Sequence, residues 1–527
     1  MRELQAQVVV IGGGATGVGV LRDVAMRGFS AILLERADLG QGTTSRFHGL
    51  LHSGARYVVA DPESARECAV ENAIVRRIHA NAVERTGGLF VSTPVDDPGY
   101  VDQFLAGAKA SGVRAEEISV GECLRREPRL NPGITRAIEV DDAAVDGWAL
   151  VWGAARSAQE YGAQVLTHHR VVSIERDGGQ VMGVRCVDDK TGEEVSIECS
   201  FVLNAAGPWA GKVAALAGCH DVEVVPGRGI MIAMAHRLVN RAVNRCNYPG
   251  DGDLIVPAHT VCIVGTTDVA AADPDHLEIP GDEVQQMLDA GEVLVPGFRS
   301  SRALHAWAGA RPLVKDNRVS ASDTRHMSRG MSIIDHQSRD GLGGLLTIVG
   351  GKLTTYRLMA EHAVDLMCAQ LGEQCACRTD QEPVPDARGK PNHQVSDRFA
   401  EREAHRDGQL ICECEFVTKD LFAATLAANP RASFDDLRRQ LRLGMGPCQG
   451  GFCALRATGI AVETQQRSVA EANQALREFL MNRWIGLWPI LYGDQLRQAV
   501  LDAWIQLGTL DLAHLPEAAR TPEVANG

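Results

Sequence analysis

The sequence has no apolar run approaching the ~18 residues needed to cross a bilayer, and no internal repeat or low-complexity segment. It has no excess of positive charge: 53 Lys and Arg stand against 67 Asp and Glu, a formal net charge of -14. That balance argues against non-specific binding to nucleic-acid phosphates, so any anionic ligand needs a local basic pocket. The opening stretch MRELQAQVVVIGGG lacks a cleavable signal pattern, because its apolar run passes straight into glycines. The expectation is a cytoplasmic protein whose membrane contact is peripheral or made through a partner. At 527 residues the chain is too long for one simple core.

Cysteine, by contrast, is plentiful: there are 14. In a reducing compartment, clustered cysteines point to metal or redox chemistry rather than disulfides. Eight are scattered singly and read as small core residues. Three pairs remain: Cys375/Cys377, Cys412/Cys414 and Cys448/Cys453.

QVVVIGGGATGVGVLRDVAMRG, near the start, reads as a buried strand, a glycine turn and a helix. Gly12, Gly14 and Gly17 fit G-x-G-x-x-G: one glycine for the tight turn, one for close approach of a pyrophosphate, one for helix–strand packing. The helix start offers oriented N–H groups to phosphates. A second strand, SAILLER, ends in Glu35, at the distance expected of an acid that bonds a ribose hydroxyl. FVLNAAGPWA (201–210) ends a strand in small residues that let a dinucleotide approach. LLTIVGGKLTTYRLMAEHAVDLM (345–367) is again strand, Gly-Gly and helix, and its helix start can face the flavin edge that becomes negative on reduction. Nothing resembles a second G-x-G-x-x-G for NAD. A cofactor fold split into three segments points to FAD.

GTTSRFHGLLHSGARYVV (42–59), GTTDV (265–269), GARPLV (309–314) and GGKLTTYRLMAEHA (350–363) together resemble the FAD-dependent glycerol-3-phosphate dehydrogenases. The spelling RFHGLLHSGARY and the cysteine-bearing tail resemble the catalytic A subunits of the anaerobic branch, over roughly residues 5–510. The resemblance implies an α/β, two-dinucleotide-fold FAD oxidoreductase with an antiparallel substrate-capping sheet. It implies oxidation of sn-glycerol 3-phosphate to dihydroxyacetone phosphate. It implies partner B and C subunits that carry electrons to a quinone at the inner membrane, and no nucleic acid.

By the same resemblance, Arg56, Tyr57, Arg311, Arg329 and Lys352 lie near the substrate, arginine being suited to bidentate phosphate binding. Tyr57 has core packing as an equal alternative. His52 and His48 are candidate proton acceptors, with Asp268 a possible helper. The cofactor-contacting positions expected are Gly12, Gly14, Ala15, Thr16 and Gly17; Glu35 and Arg36; Thr43, Thr44 and Ser45; His52, Ser53 and Gly54; Val172; Ala206, Gly207 and Trp209; Gly309; and Gly351, Lys352, Leu353 and Thr354.

Domain boundaries follow from these motifs. Residues 1–370 form the FAD domain, with cofactor-binding segments about 5–90, 146–221 and 336–370, and substrate-domain segments about 91–145 and 222–335. Residues 371–408, rich in Pro, Asp, Arg and Asn, read as a linker or surface excursion. Residues 409–462 form a small cluster domain, and 463–527 form C-terminal helices ending in a disordered tail, PEAARTPEVANG. Cys412 and Cys414 precede an amphipathic helix with Thr418 as its cap; Cys448 and Cys453 sit in a glycine-rich loop before another. C-x-C, 33 residues, then C-x-x-x-x-C makes a four-thiolate site. Such a site holds zinc or an iron–sulfur cluster; the spacing departs from usual zinc-finger pairs and resembles helical [2Fe-2S] domains. Cys375/Cys377 compete as a second C-x-C. Three tryptophans in FLMNRWIGLWPILYGDQLRQAVLDAW either pack the last helices or mark a docking patch. Two other functions stay open: a flavin-dependent 2-hydroxyacid (2-hydroxyglutarate-type) dehydrogenase, and an electron-relay protein without turnover of its own.

Overall fold

The computed structural model describes residues 2–314, 330–390, 408–464, 466–493, 495–509 and 511–515. Arg329, part of the linker stretch (391–407) and the terminal PEAARTPEVANG lie outside them.

A six-stranded sheet carries the fold, in the order Gln164–Thr167, Ala31–Glu35, Val8–Ile11, Phe201–Asn204, Leu345–Gly350, Met331–Asp335. The first five strands are parallel and the last is antiparallel to its neighbour. Both faces are buried, which is why these strands read as unbroken apolar runs. Val8, Val10, Leu33 and Leu203 point to a core shared with the helices Ala15–Met26, Gly147–Glu160 and Tyr356–Leu371. Val9, Ile11, Ile32, Leu34 and Val202 point the other way, onto a four-stranded sheet built from Arg2–Gln5, Glu194–Glu198, Gln180–Asp188 and His169–Asp177. Met331–Asp335, expected in the substrate domain, joins the first sheet instead. A short helix, His336–Asp340, turns it back to pair along Leu345–Gly350.

A second sheet of nine strands lies over the C-terminal ends of the first. Its spine is the antiparallel pair Val224–Met234 and Ala303–Val314. It is mostly antiparallel, with one parallel contact, between Gly88–Ser92 and Ala242–Arg245.

The 371–408 stretch is not all loose. Arg22, buried on the first helix, donates to Ser157 Oγ at 2.9 Å and to the carbonyls of Thr379 at 2.9 Å and Glu382 at 2.5 Å. A guanidinium buried among apolar side chains needs acceptors, and this otherwise unpatterned chain supplies them. Val384 and Ala387 then pack against Ala80.

The tail is a small body with its own core. The hairpin Leu410–Cys412/Val417–Thr418 and the helices Lys419–Ala428, Phe434–Leu441, Cys453–Glu463 and Val469–Leu487 bury Phe422, Phe434, Leu437 and Phe479 together. Thr418 caps its helix by accepting from Leu421 N at 3.3 Å. The tryptophans divide: Trp484 packs against the nine-stranded sheet's core, whereas Trp488 and Trp504 are 73% and 70% exposed. Among the described residues no helix is long and apolar enough to cross a membrane.

Candidate functional site

A cavity of about 890 Å³ opens between the C-terminal ends of the parallel strands and the nine-stranded sheet. Its floor is the first glycine turn. Gly12 has φ +108°, and a Cβ there would meet Ala205 O at 2.6 Å; a Cβ on Gly17 would meet Gly12 O at 1.8 Å. Only glycine fits either place, which leaves the backbone bare toward the cavity. Ala15 N donates to Thr44 Oγ1 at 2.9 Å, tying the helix start to the 43–45 loop. Glu35 accepts from Gly13 N at 2.6 Å and Ala37 N at 2.9 Å. Burial pushes its carboxyl up, and the two backbone donors oppose that. Glu35 therefore shapes the turn as well as bordering the cavity. Arg36 stacks 4.4 Å from the Trp209 ring and pairs with Asp275 at 2.7 Å, while Trp209 Nε1 donates to the same carboxylate at 2.9 Å. These three make a clasp beside Glu35.

Most of the expected cofactor positions meet here: Gly12, Gly14, Ala15, Thr16, Glu35, Arg36, Thr43, Thr44, His52, Ala206, Gly207, Trp209, Gly351, Lys352 and Leu353 all line the cavity. Seven do not, and support it from behind. Gly17 lies under Gly12. Ser45 Oγ bonds Gly40 O. Ser53 gives both N and Oγ to Asp142 Oδ1 at 2.7 Å. A Cβ on Gly54 would strike Ala65 O, and one on Gly309 would strike Arg46 O. Thr354 Oγ1 accepts from His52 N at 3.1 Å. Val172 falls at a break in strand register between Val171 and Ser173, so Val171 lines the cavity in its place.

One end of the cavity gathers the candidate reactive groups. The His48 and His52 rings lie edge to face at 5.7 Å, and His52 lies 5.4 Å from Tyr57. Lys352 Nζ sits 4.7 Å over the Tyr57 ring and donates to Ser64 Oγ at 2.8 Å. Arg311 bonds Asp268 Oδ1 at 3.1 Å, Thr266 Oγ1 at 3.3 Å and Thr267 O at 3.2 Å. Arg56 turns one nitrogen to both oxygens of Asp253, at 2.8 and 3.0 Å. Burial opposes the Arg56 charge, but Asp253 outweighs it and holds the group above the usual arginine range. Sequence reasoning missed Arg46, which also lines the cavity. Burial first, then the nearby Arg36 and Arg439, push its guanidinium down. Its signal was its place directly after Thr43-Thr44-Ser45. Arg46, Arg56, Arg311 and Lys352 thus all face the cavity, and Asp253 and Asp268 balance two of them.

The profile of the DAO family, FAD dependent oxidoreductase, matches residues 7–357. Over 99% of this chain and 96% of its own length, the A subunit of the anaerobic glycerol-3-phosphate dehydrogenase of Haemophilus influenzae is 38% identical. The protein of the same name from Escherichia coli K12 is 39% identical over 96% of this chain and 97% of its own. The chain belongs to this family. It is an FAD-dependent oxidoreductase of the kind that forms the A subunits of anaerobic glycerol-3-phosphate dehydrogenases. A Bacillus halodurans glycerol-3-phosphate dehydrogenase solved with FAD shares the fold, with TM-score 0.64 and 22% identity over 93% of this chain and 96% of that one. Glycine turns that exclude any Cβ, a helix start at the cavity floor and a space of this size fit the FAD that the family name requires.

The four tail cysteines also converge. The Cys412 thiol interacts with that of Cys453, and Cys448 with those of Cys414 and Cys453, none of them in a disulfide. Backbone N–H groups of Gly444 and Glu415 point at Cys412, and those of Gly450 and Phe452 at Cys448. The thiols of Cys414 and Cys453 first, and then the backbone of Gly450 and Phe452, hold the Cys448 thiol down, while Cys414 and Cys453 are pushed up. A Cβ on Gly446 would lie 2.3 Å from Cys414 Cβ, so this glycine lets the two loops close. Cys375 and Cys377 lie elsewhere: Cys375 O accepts from Arg27, and Cys377 Sγ contacts Thr379 Oγ1 at 3.1 Å. Among the described residues, the group of three side chains with ligand atoms within 4.8 Å of one another is Cys219, His336 and Asp340. Both His336 nitrogens are engaged there, by Asp340 at 2.5 Å and Thr347 at 2.9 Å, which reads as a structural relay.

Proposed function

We propose that the protein oxidises sn-glycerol 3-phosphate to dihydroxyacetone phosphate and passes the electrons singly through a [2Fe-2S] cluster on Cys412, Cys414, Cys448 and Cys453. The observation that carries the substrate reading is the gathering of Arg56, Arg311 and Lys352 at the histidine end of an FAD-type cavity, in a chain 39% identical to the A subunit of an anaerobic glycerol-3-phosphate dehydrogenase. Bound FAD supplies the acceptor for the hydride that leaves the secondary carbon. The chain's own side chains do the rest. Arg311, oriented by Asp268 and Thr266, offers its planar fork to the phosphate. Lys352, held by Ser64 Oγ, places a second positive charge beside the substrate oxygens. His52 or His48 takes the hydroxyl proton. Arg56, held by Asp253, gives the wall a fixed charge.

Two features of the tail support a cluster over zinc. A tetrahedral zinc with Zn–S near 2.3 Å needs all four sulfurs within about 3.8 Å of one another. Cys412 interacts first with Cys453 and Cys414 first with Cys448, a pairing that suits two metal ions each taking two thiolates. The backbone N–H groups aimed at the sulfurs are those that tune iron–sulfur potentials. A one-electron centre lets a two-electron oxidation feed a membrane partner. We therefore also propose B and C partner subunits, a quinone as final acceptor and peripheral attachment at the inner membrane.

The deciding experiment is an absorbance spectrum of the protein purified without oxygen, before and after sn-glycerol 3-phosphate. Flavin and broad iron–sulfur bands that both bleach are expected. Flavin that stays oxidised with this substrate but bleaches with 2-hydroxyglutarate overturns the substrate. Flavin that bleaches with neither makes the chain an electron relay.

A further inference from the structure

The helix Val469–Leu487 buries an arginine in the tail's interior. Arg483 is 6% exposed. Its Nη1 donates to Gln449 Oε1 at 3.0 Å, and its Nη2 is buried with no hydrogen-bond partner among the described residues. Gln449 is no casual neighbour. It directly follows Cys448, has φ +53°, and spends its own amide on the carbonyls of Met445 at 3.0 Å and Gly446 at 3.1 Å. Arg483 is thus one side chain away from the cysteine loop and braces it. Two more cations share the place. Arg438 has a buried Nε without a partner among the described residues and a long 3.5 Å contact to Asp435. Arg302, from the nine-stranded sheet's side, donates to Pro447 O at 3.4 Å. Burial, with help from Arg438 and Arg302, pushes Arg483 down to about 10, against Asp502 and Cys448.

A buried guanidinium with an unused N–H is costly unless an anion lies near. Asp502 is one such anion, and the four-cysteine site, one side chain away through Gln449, is the other. A two-iron cluster on four thiolates is net negative and gains one more negative charge on reduction. A fixed cation in low dielectric favours the reduced form more than the oxidised one. We infer that Arg483, supported by Arg438 and Arg302, is a positioning residue that raises the reduction potential of the cluster, so that electrons leave the flavin for it. The inference rests on the cluster reading above.

The test is a redox titration of the full-length protein, purified without oxygen, that follows the paramagnetic signal of the reduced cluster. Arg483→Gln is expected to make the cluster at least about tenfold harder to reduce, a fall of about 59 mV for one electron, with iron content and substrate bleaching of the flavin unchanged. Arg483→Lys keeps the charge and is expected to recover most of the loss. An unchanged potential in Arg483→Gln with a full cluster overturns the inference and leaves the cluster reading standing. Should Arg483→Gln fail to hold iron, Arg302→Gln decides: a smaller fall supports the inference and no fall overturns it. A wild-type protein with no such signal overturns the cluster reading itself, and this inference with it.

Discussion

Arg442 reaches out of the tail to Asp146, the residue that caps the helix Gly147–Glu160 of the FAD domain, at 2.9 Å. The same guanidinium holds Glu415, the neighbour of Cys414, at 3.0 Å. Asp146 also accepts from the backbone of Trp148 and Ala149. Burial would push its carboxyl up, but His259 and Arg442 hold it well below the usual range. One arginine thus joins the cysteine site to the frame of the flavin cavity.

Arg442→Gln should leave two buried carboxylates facing each other. Breaking a buried pair in this way costs about 3–5 kcal/mol. The expected result is a tail that unfolds or is clipped by protease before the FAD domain, with the flavin spectrum retained. A single unchanged melting transition would show that the ion pair does not hold the two bodies together.

His305 predicts a pH dependence. It lies on strand Ala303–Val314 where Gly486 of the last long helix crosses; a Cβ on Gly486 would be 1.8 Å from its ring. Burial, then Arg438 and Arg483, push it down to about 3, and burial does the same to His79. Each folded pKa is below the unfolded value of about 6.5. The stability they provide is therefore complete above pH 6.5 and is lost as pH falls toward 3. The slope is about 1.4 kcal/mol per pH unit for each histidine. Denaturant titrations at pH 6.5 and 4.5 should show this fall, and His305→Gln should show a shallower one.

Arg311→Gln should weaken turnover without loss of FAD. Losing a charged hydrogen bond to the substrate costs about 1.5–3 kcal/mol, or about 10- to 100-fold in kcat/KM. Most of it should appear in KM for a phosphorylated substrate. Loss of bound flavin in parallel would assign Arg311 to the cofactor or the fold.

Gly17→Ala should act on the cofactor alone. The added methyl meets Gly12 O at 1.8 Å and must push the glycine turn into the cavity. The FAD-to-protein absorbance ratio should fall by at least about tenfold while the tail keeps its own melting transition. Normal flavin content would show that the turn yields elsewhere.

Much of the frame was legible because its constraints are short-range. Gly12 and Gly17 act on atoms a few residues away. Val8–Ile11 and Phe201–Asn204 are apolar at every position, or nearly so, because both faces are covered. Cys412, Cys414, Cys448 and Cys453 stood out by spacing, and Thr418 by its place before a helix. The seven cofactor positions that fell behind the cavity wall, such as Ser53 and Gly309, could not be sorted from those in front. A shift of one residue at the Val172 break exchanges the faces of a strand, and nothing in its local sequence marks it.

The sequence by itself determined that this is a nucleotide-binding α/β chain with a separate four-thiol tail. Periodicity, glycine placement and cysteine spacing are local properties of a polymer. The tertiary structure alone decided the electrostatics. Arg56 meets Asp253 across 197 residues, and Arg442 meets Asp146 across 296. Arg483 finds its partner in the amide of Gln449, 34 residues back, rather than in a carboxylate. Coulomb energy depends on distance through space and on the dielectric between charges, and neither quantity is written along the chain.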